Sequence, residues 1–91
     1  MKVVVIDNDN VFLKQFLVMI EPLCNELYKK CEIISYSKFQ QDIENNSDVI
    51  FLDIDLDDIN GIDIAKQIRD GNKNTKIIFV TSNNHQDSFH I

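Results

Sequence analysis

Short apolar runs alternate along the chain with longer segments whose apolar residues recur at helical spacing. Four of the runs are rich in β-branched or aromatic residues, which is typical of strands buried within a parallel sheet. We predict these strands at 3–6, 32–36, 49–52 and 76–81. The first and third runs each end at an aspartate, so a polar site could lie at the ends of those two strands.

The segments between the runs predict helices. Apolar residues from 11 to 28 follow one another at gaps of one, three and four, which indicates a long helix with one buried face. Pro22 lies inside this pattern and is expected to kink or split the helix. Shorter helices are predicted near 38–45 and over 62–70, with Gly71 as the C-terminal cap of the second.

A last helix is expected to begin at Asn83 or Asn84, so helices and strands alternate throughout the chain. Such alternation requires parallel strands with right-handed crossovers and helices on both faces of the sheet. We therefore predict an α/β fold with a doubly wound parallel sheet. In sheets of this class, ligands bind beyond the carboxyl ends of the strands, where the strand order reverses.

Composition and charge narrow the function classes. With 91 residues, the chain is expected to form one domain, 1–91. Nine basic and fifteen acidic residues give a net charge of -6, which argues against binding to nucleic acid or to an anionic membrane surface. No apolar run is long enough to cross a bilayer, so we expect a cytoplasmic protein. Cys24 and Cys31 are accordingly expected to be reduced thiols that fill space in the core.

Two groups of polar residues follow the first and third predicted strands. Asp7, Asn8 and Asp9 come after the first strand, and four aspartates come at or after the end of the third. If those strands are neighbours, as in the flavodoxin-like order, the groups meet at one crevice. Crowded carboxylates repel one another, and a hard dication such as Mg²⁺ relieves that repulsion. The aspartates of the second group are Asp53, Asp55, Asp57 and Asp58.

Asp53 is the best placed of these residues to react, because it stands directly at the end of a buried strand. A carboxylate can attack a phosphoryl group and form an aspartyl phosphate. A metal ion and a nearby cation would then neutralise the charge on the transferred group. Thr81 ends the fourth predicted strand, and its hydroxyl could donate to the bound phosphoryl group.

Three stretches of the sequence carry a resemblance to the receiver domains of two-component response regulators. They are 3–8 (VVVIDN), 50–62 (IFLDIDLDDINGI) and 77–82 (IIFVTS), which look like the first strand with its acidic pair, the phosphoacceptor strand with its loop, and the switch strand. The similarity covers essentially the whole chain. Residues 51–69 and 79–82 look most like the receivers of LytTR-type transcription regulators, whose separate DNA-binding domain is absent here.

The resemblance implies a CheY-like fold with strand order 2-1-3-4 and roles for five residues. Asp53 would accept a phosphoryl group from a sensor histidine kinase, and Thr81 would contact that group and act as the switch. Asp7, Asn8, Asp53 and the backbone carbonyl of Asp55 would hold Mg²⁺. The domain would be a signalling module and not an enzyme. It would dimerise through the region after the fourth strand and reach DNA only through an output domain.

The sequence also departs from the receiver pattern. Asn8 stands where a second acid is usual, and its amide brings no charge to a metal ion. Asp57 stands where proline is usual. The chain stops before a fifth strand, which in receivers carries a lysine and an aromatic switch residue, so we expect an incomplete domain with an exposed sheet edge that self-associates or is weakly stable.

Three other functions remain to be weighed. A degenerate receiver would bind a partner without being phosphorylated, which Asn8 and the missing lysine favour. A haloacid-dehalogenase-type phosphatase also uses an Asp-x-Asp strand. In those phosphatases the strand lies near the N-terminus and continues into Gly-Thr, whereas here Asp53 lies in the middle of the chain and Leu56-Asp57 follows the motif. Calcium binding in an EF-hand fails, because Asp58 and Ile64 stand where the loop needs glycine and glutamate.

Overall fold

A computed structural model describes residues 1–40, 47–56 and 59–80. The predicted helix near 38–45 is not formed over 38–40, and its other residues lie outside the described part, as does the helix expected after Asn83 or Asn84. The described elements are six strands and two helices. They are β1 (Lys2–Ile6), α1 (Asn10–Leu27), β2 (Glu32–Tyr36), β3 (Val49–Asp53), β4 (Asp55–Leu56), β5 (Ile59–Asn60), α2 (Gly61–Gly71) and β6 (Lys76–Val80).

Four of these strands form one parallel sheet in the order β2-β1-β3-β6. The predicted order 2-1-3-4 is therefore confirmed, since β6 is the fourth predicted strand. β1 lies in the centre, where Val4 pairs with Ile34 of β2 and with Ile50 of β3. β6 is an edge strand of the sheet among the described residues, and its Ile78 and Phe79 are 44% and 42% exposed.

The sheet is covered by helices on both faces, because successive side chains of a strand point to opposite sides. On one face, Val4 and Ile6 of β1 and the buried side of α2 belong to one core cluster. On the other face, Val3 and Val5 pack in a second cluster with the buried side of α1. There the ring of Phe16 meets that of Phe51 edge to face, with centroids 5.0 Å apart. The predicted doubly wound α/β fold is confirmed.

Helix α1 begins at a capping aspartate and continues past its proline. The Asp9 side chain accepts hydrogen bonds from the backbone N–H groups of Val11 and Phe12. The helix then runs through Pro22 without interruption to Leu27, so the expected split does not occur. Pro22 removes one backbone hydrogen bond, but Phe16 and Cys24 anchor the helix to the sheet on either side of it.

The buried stripe of α1 is narrower than its apolar pattern predicts. Leu13, Phe16 and Cys24 are buried, which corresponds to helical steps of three and eight residues. Val11 and Leu27 also fit the apolar pattern, yet they are 66% and 71% exposed because they lie off that stripe.

Helix α2 ends one residue later than predicted and with a different cap. Gly71 is its last helical residue, and Asn72 is the cap in an extended conformation. Asn72 donates its N–H to the carbonyl of Ile68, and its side-chain oxygen accepts from the N–H groups of Asn74 and Thr75. This ending needs no left-handed residue, so glycine is not required as the cap.

Cys24 and Cys31 form a disulfide, which corrects the prediction of two reduced thiols. Cys24 lies near the end of α1, and Cys31 directly precedes β2. The short connection between these elements brings the two Cα atoms to 6.0 Å, a separation that a disulfide spans. The amphipathic pattern could place Cys24 in the core but could not show where the chain returns to the sheet.

The described helices include none that is long and apolar enough to cross a bilayer.

Candidate phosphoacceptor site

Asp7 and Asp53 lie side by side at the carboxyl edge of the sheet. Strands β1 and β3 are hydrogen-bonded neighbours, and their last paired residues are Ile6 and Leu52. Asp7 and Asp53 follow this pair directly, and neighbouring strands are about 4.8 Å apart. Asp7 is 0% exposed and Asp53 is 1% exposed, so both residues are buried at this edge of the sheet.

Burial and crowding disfavour the charged form of Asp53. Its pKa is raised from 3.8 to about 6, first because burial removes water from the carboxylate and then because Asp7 lies nearby. The charge of Asp55 adds to the rise, whereas the backbone N–H groups of Asp55 and Ile54 oppose it. The Asp55 N–H donates to Asp53 Oδ1 over 3.3 Å. A cation bound at this edge would remove the repulsion between the carboxylates.

The loop after β1 holds Asp7 and begins α1. Asp7 donates its backbone N–H to the carbonyl of Tyr36 at 3.1 Å, which extends the ladder with β2. Its Oδ1 accepts from the N–H of Asp9 at 2.8 Å. Asp9 Oδ1 in turn accepts from Val11 and Phe12 at 3.0 and 3.1 Å, so Asp9 is committed to capping the helix. Asn8 is partly buried between these two aspartates.

The oxygen donors gathered here suit Mg²⁺ better than a softer metal. In the described part of the chain, no group of three or more His, Cys, Asp or Glu side chains could hold a metal ion. Asp7 and Asp53 supply two carboxylates at this edge, and Asn8 follows Asp7 in the same loop. Mg²⁺ commonly takes one or two carboxylates together with water and phosphate oxygens. The residues present therefore fit this ion.

The loop after β3 forms a small hairpin that the sequence does not predict. Strands β4 and β5 pair antiparallel, with Asp55 opposite Asn60 and Leu56 opposite Ile59. Leu56 is 5% exposed and joins the core cluster beneath the site, whereas the Asp55 side chain is exposed. The hairpin thus keeps the backbone of Asp55 beside the carboxylate of Asp53.

Gly61 is a site residue that the sequence reasoning missed. Its N–H donates to the carbonyl of Ile54 at 2.6 Å, and it opens helix α2 directly against the end of β3. A Cβ atom at this position would collide with the carbonyl oxygen of Asp53 and would lie 2.8 Å from Ile54 Cα. The Asn60-Gly61 pair in the sequence could have indicated this tight entry into the helix. Asn60 Oδ1 caps the helix by accepting from Ile62 N at 2.7 Å.

The remaining predicted residues lie outside the described part of the chain. Val80, the last residue of β6, pairs with Asp53, and Thr81 follows it beyond the described residues. Asp57 and Asp58 also lie outside the described residues. The roles predicted for Asp53, Asp7, Asn8, Thr81 and the Asp55 carbonyl all stay predictions.

A comparison with known proteins shows which family the chain matches. Residues 3–90 match the family model of the response regulator receiver domain. The chain is 33% identical over 86 residues to stress response regulator protein 1 of Candida albicans, and the match spans 88% of this chain but 29% of that relative. The chain therefore covers less than a third of the length of the relative that it matches.

Solved structures of similar fold are receiver-containing proteins. The response regulator DrrB, an OmpR/PhoB homologue of Thermotoga maritima, superposes with a TM-score of 0.71 at 21% identity, over 96% of this chain and 38% of that one. The signal receiver domain of a modulated diguanylate cyclase from Desulfovibrio desulfuricans gives a TM-score of 0.69 at 18% identity, over 97% of this chain and 70% of that one. At these identities the likeness shows the fold.

Proposed function

Because residues 3–90 match the family model, the chain belongs to the response regulator receiver domains, and we propose that Asp53 is its phosphoacceptor. The observation that carries this proposal is the burial of Asp53 beside Asp7 at the carboxyl edge of the sheet. A sensor histidine kinase would supply the phosphoryl group, as expected of a receiver.

The transfer is a displacement at phosphorus by the carboxylate of Asp53. Its Oδ1 accepts from the N–H of Asp55, which orients the carboxylate so that the other oxygen attacks. A P–O bond to Asp53 forms while the P–N bond of the donor phosphohistidine breaks, and the departing imidazole keeps the bonding pair. With its pKa raised to about 6, Asp53 is mostly ionised and nucleophilic at neutral pH but loses reactivity in acid.

Asp7, Asn8, Asp53 and the Asp55 carbonyl would hold Mg²⁺. Bound there, the ion would neutralise charge on the phosphoryl oxygens. Asp7, buried and held by the N–H of Asp9, would supply the second carboxylate ligand to the cation at this edge.

The output of the domain is proposed from resemblance. Thr81 would turn toward the new phosphoryl group, and the segment after it would shift its population of conformations. That shift would change homodimerisation. Through it, the shift would also change DNA binding by an output domain of LytTR type in a cytoplasmic protein. The resemblance of residues 51–69 and 79–82 to the receivers of LytTR-type regulators supports that output class.

A degenerate receiver that works without phosphorylation is the second candidate. Asn8 favours it, because an amide in place of an acid leaves the cation with one fewer negative ligand. The two candidates differ in whether the site responds to a phosphoryl mimic.

Beryllofluoride tests the proposal directly. The receiver domain of DrrB has been studied in a BeF₃-activated form. We expect beryllofluoride with Mg²⁺ to raise the Tm of the intact protein by several degrees, since a ligand that binds only the folded state stabilises it. Asp53→Asn should abolish the rise. Asp70→Asn, which removes an exposed carboxylate elsewhere on α2, should keep it. An unresponsive wild type would favour the degenerate receiver.

A further inference from the structure

The Cys24–Cys31 disulfide lies at the opposite end of the sheet from the phosphoacceptor site. Cys31 directly precedes Glu32, and Glu32 pairs with Lys2 at the start of β1. Asp7 follows the end of β1, so the length of a five-residue strand separates the disulfide from the site. That length is about 17 Å. The disulfide therefore does not contact the residues that would handle the phosphoryl group.

The two sulfur-bearing residues differ in their access to solvent. Cys24 is 8% exposed and packs in the core cluster between α1 and the sheet. Cys31 is partly exposed and lines two surface depressions, one of them with Glu21, Asn25 and Ile33. A reagent from solvent thus reaches Cys31 more readily than Cys24.

The second depression surrounds Cys31 with more positive than negative charge, although the chain as a whole carries -6. Its positive groups outnumber its acids, and the terminal amine of Met1 is fixed there by donating to the Lys30 carbonyl at 2.9 Å. Nearby cations favour the thiolate form of a cysteine, which is the reactive form. The charged residues of this depression are Met1 (through its amine), Lys2, Lys29, Lys30, Glu32 and Asp48.

We propose that Cys24 and Cys31 form a reversible redox latch, in which Cys31 is the residue attacked by peroxide and Cys24 resolves the product. The Cys31 thiolate attacks one oxygen of a hydroperoxide, forming a sulfenic acid as the O–O bond breaks, and the departing oxygen takes a proton to leave as water or an alcohol. The Cys24 thiol then attacks the Cys31 sulfur, forming the S–S bond and releasing water. A dithiol reductant opens the disulfide by attacking the Cys31 sulfur, which releases Cys24 and then Cys31 as thiols while the reductant becomes a disulfide.

The latch fixes the last turn of α1 to the start of β2. These two cysteines are seven residues apart in the sequence, and the segment between them contains the end of the helix and the turn into the strand. Opening the disulfide frees that connection. Closing a loop of this size is expected to raise the Tm of a domain of this length by roughly 10 °C.

The test is a titration of the reduced, intact protein with hydrogen peroxide, followed by mass spectrometry. We expect an intramolecular disulfide, which dithiothreitol and a thioredoxin-type dithiol both reverse. Cys24→Ser should accumulate a sulfenic acid at Cys31 that dimedone traps, whereas Cys31→Ser should leave Cys24 at least tenfold less reactive. Equal reactivity of the two residues, or a disulfide that resists the dithiol, would overturn the proposal.

A second measurement keeps the proposal testable if either serine variant fails to fold. Limited alkylation of reduced wild-type protein should label Cys31 before Cys24, and the reduced protein should melt below the oxidised form. The response to beryllofluoride should be the same in both redox states. Faster labelling of Cys24, or no difference in Tm, would contradict the latch.

Discussion

Replacing Asp53 by asparagine should stabilise the folded protein at neutral pH, because the native carboxylate is buried beside Asp7. The pKa of Asp53 is raised from 3.8 to about 6 in the folded state. Between these values the folded state binds more protons than the unfolded chain, so the stability that Asp53 contributes in acid is lost as pH rises through this window. The full loss at neutral pH is at most about 3 kcal/mol.

The asparagine side chain does not ionise, and its oxygen could still accept the N–H of Asp55 that now reaches Asp53 Oδ1 at 3.3 Å. The difference in unfolding free energy between variant and wild type should therefore be close to zero near pH 4 and grow to about 1–3 kcal/mol at pH 7. Urea unfolding at a series of pH values measures it. Asp70→Asn, at an exposed position on α2, is the matched control and should show no such growth.

Saturating Mg²⁺ should reduce this difference, since a cation held between Asp7 and Asp53 offsets the repulsion that the substitution removes. The reasoning would be refuted if Asp53→Asn were no more stable than wild type at pH 7, or if the difference were already present in full at pH 4.

Three further predictions concern residues around the site. Gly61→Ala should destabilise the fold by about 2 kcal/mol or more and impair phosphorylation, because the new Cβ collides with the carbonyl oxygen of Asp53. Gly71→Ala, where nothing lies within 4 Å, should leave stability equal or raise it by up to about 1 kcal/mol. Equal losses in both variants on urea unfolding would contradict this reading. Asn8→Asp should tighten Mg²⁺ binding several-fold in a calorimetric titration by restoring a second acid, and an unchanged affinity would show that this residue does not approach the ion. Asp9→Ala should lower the free energy of unfolding by about 1 kcal/mol by removing the cap of α1. An unchanged Tm in thermal melting would count against that capping role.

The sheet could be predicted well because its strands are apolar for a simple physical reason. Residues such as Val4, Ile50 and Leu52 are fully buried, and a strand covered on both faces has no polar side. The runs therefore mark β1, β3 and β6 to within one residue of their observed ends. The neighbouring positions of Asp7 and Asp53 followed from the same pattern, since each stands at the end of a buried strand and the two strands pair.

What could not be predicted depends on contacts between distant parts of the chain. The disulfide needs the return path from α1 to β2, which no local pattern around Cys24 or Cys31 contains. The β4–β5 hairpin is only two residues long on each side, too short for a periodic signal. Pro22 is tolerated because packing on both sides of it outweighs one lost hydrogen bond. Helix propensity alone does not predict that packing.

The central claim is that Asp53, and not its neighbour Asp7, takes the phosphoryl group. Incubating the intact protein with acetyl phosphate and Mg²⁺, followed by borohydride reduction, converts a phosphorylated aspartate to homoserine, which peptide mass spectrometry locates. We predict homoserine at position 53 alone, dependent on Mg²⁺ and absent from Asp53→Asn. Homoserine at position 7, or at neither position in folded protein, would contradict the account.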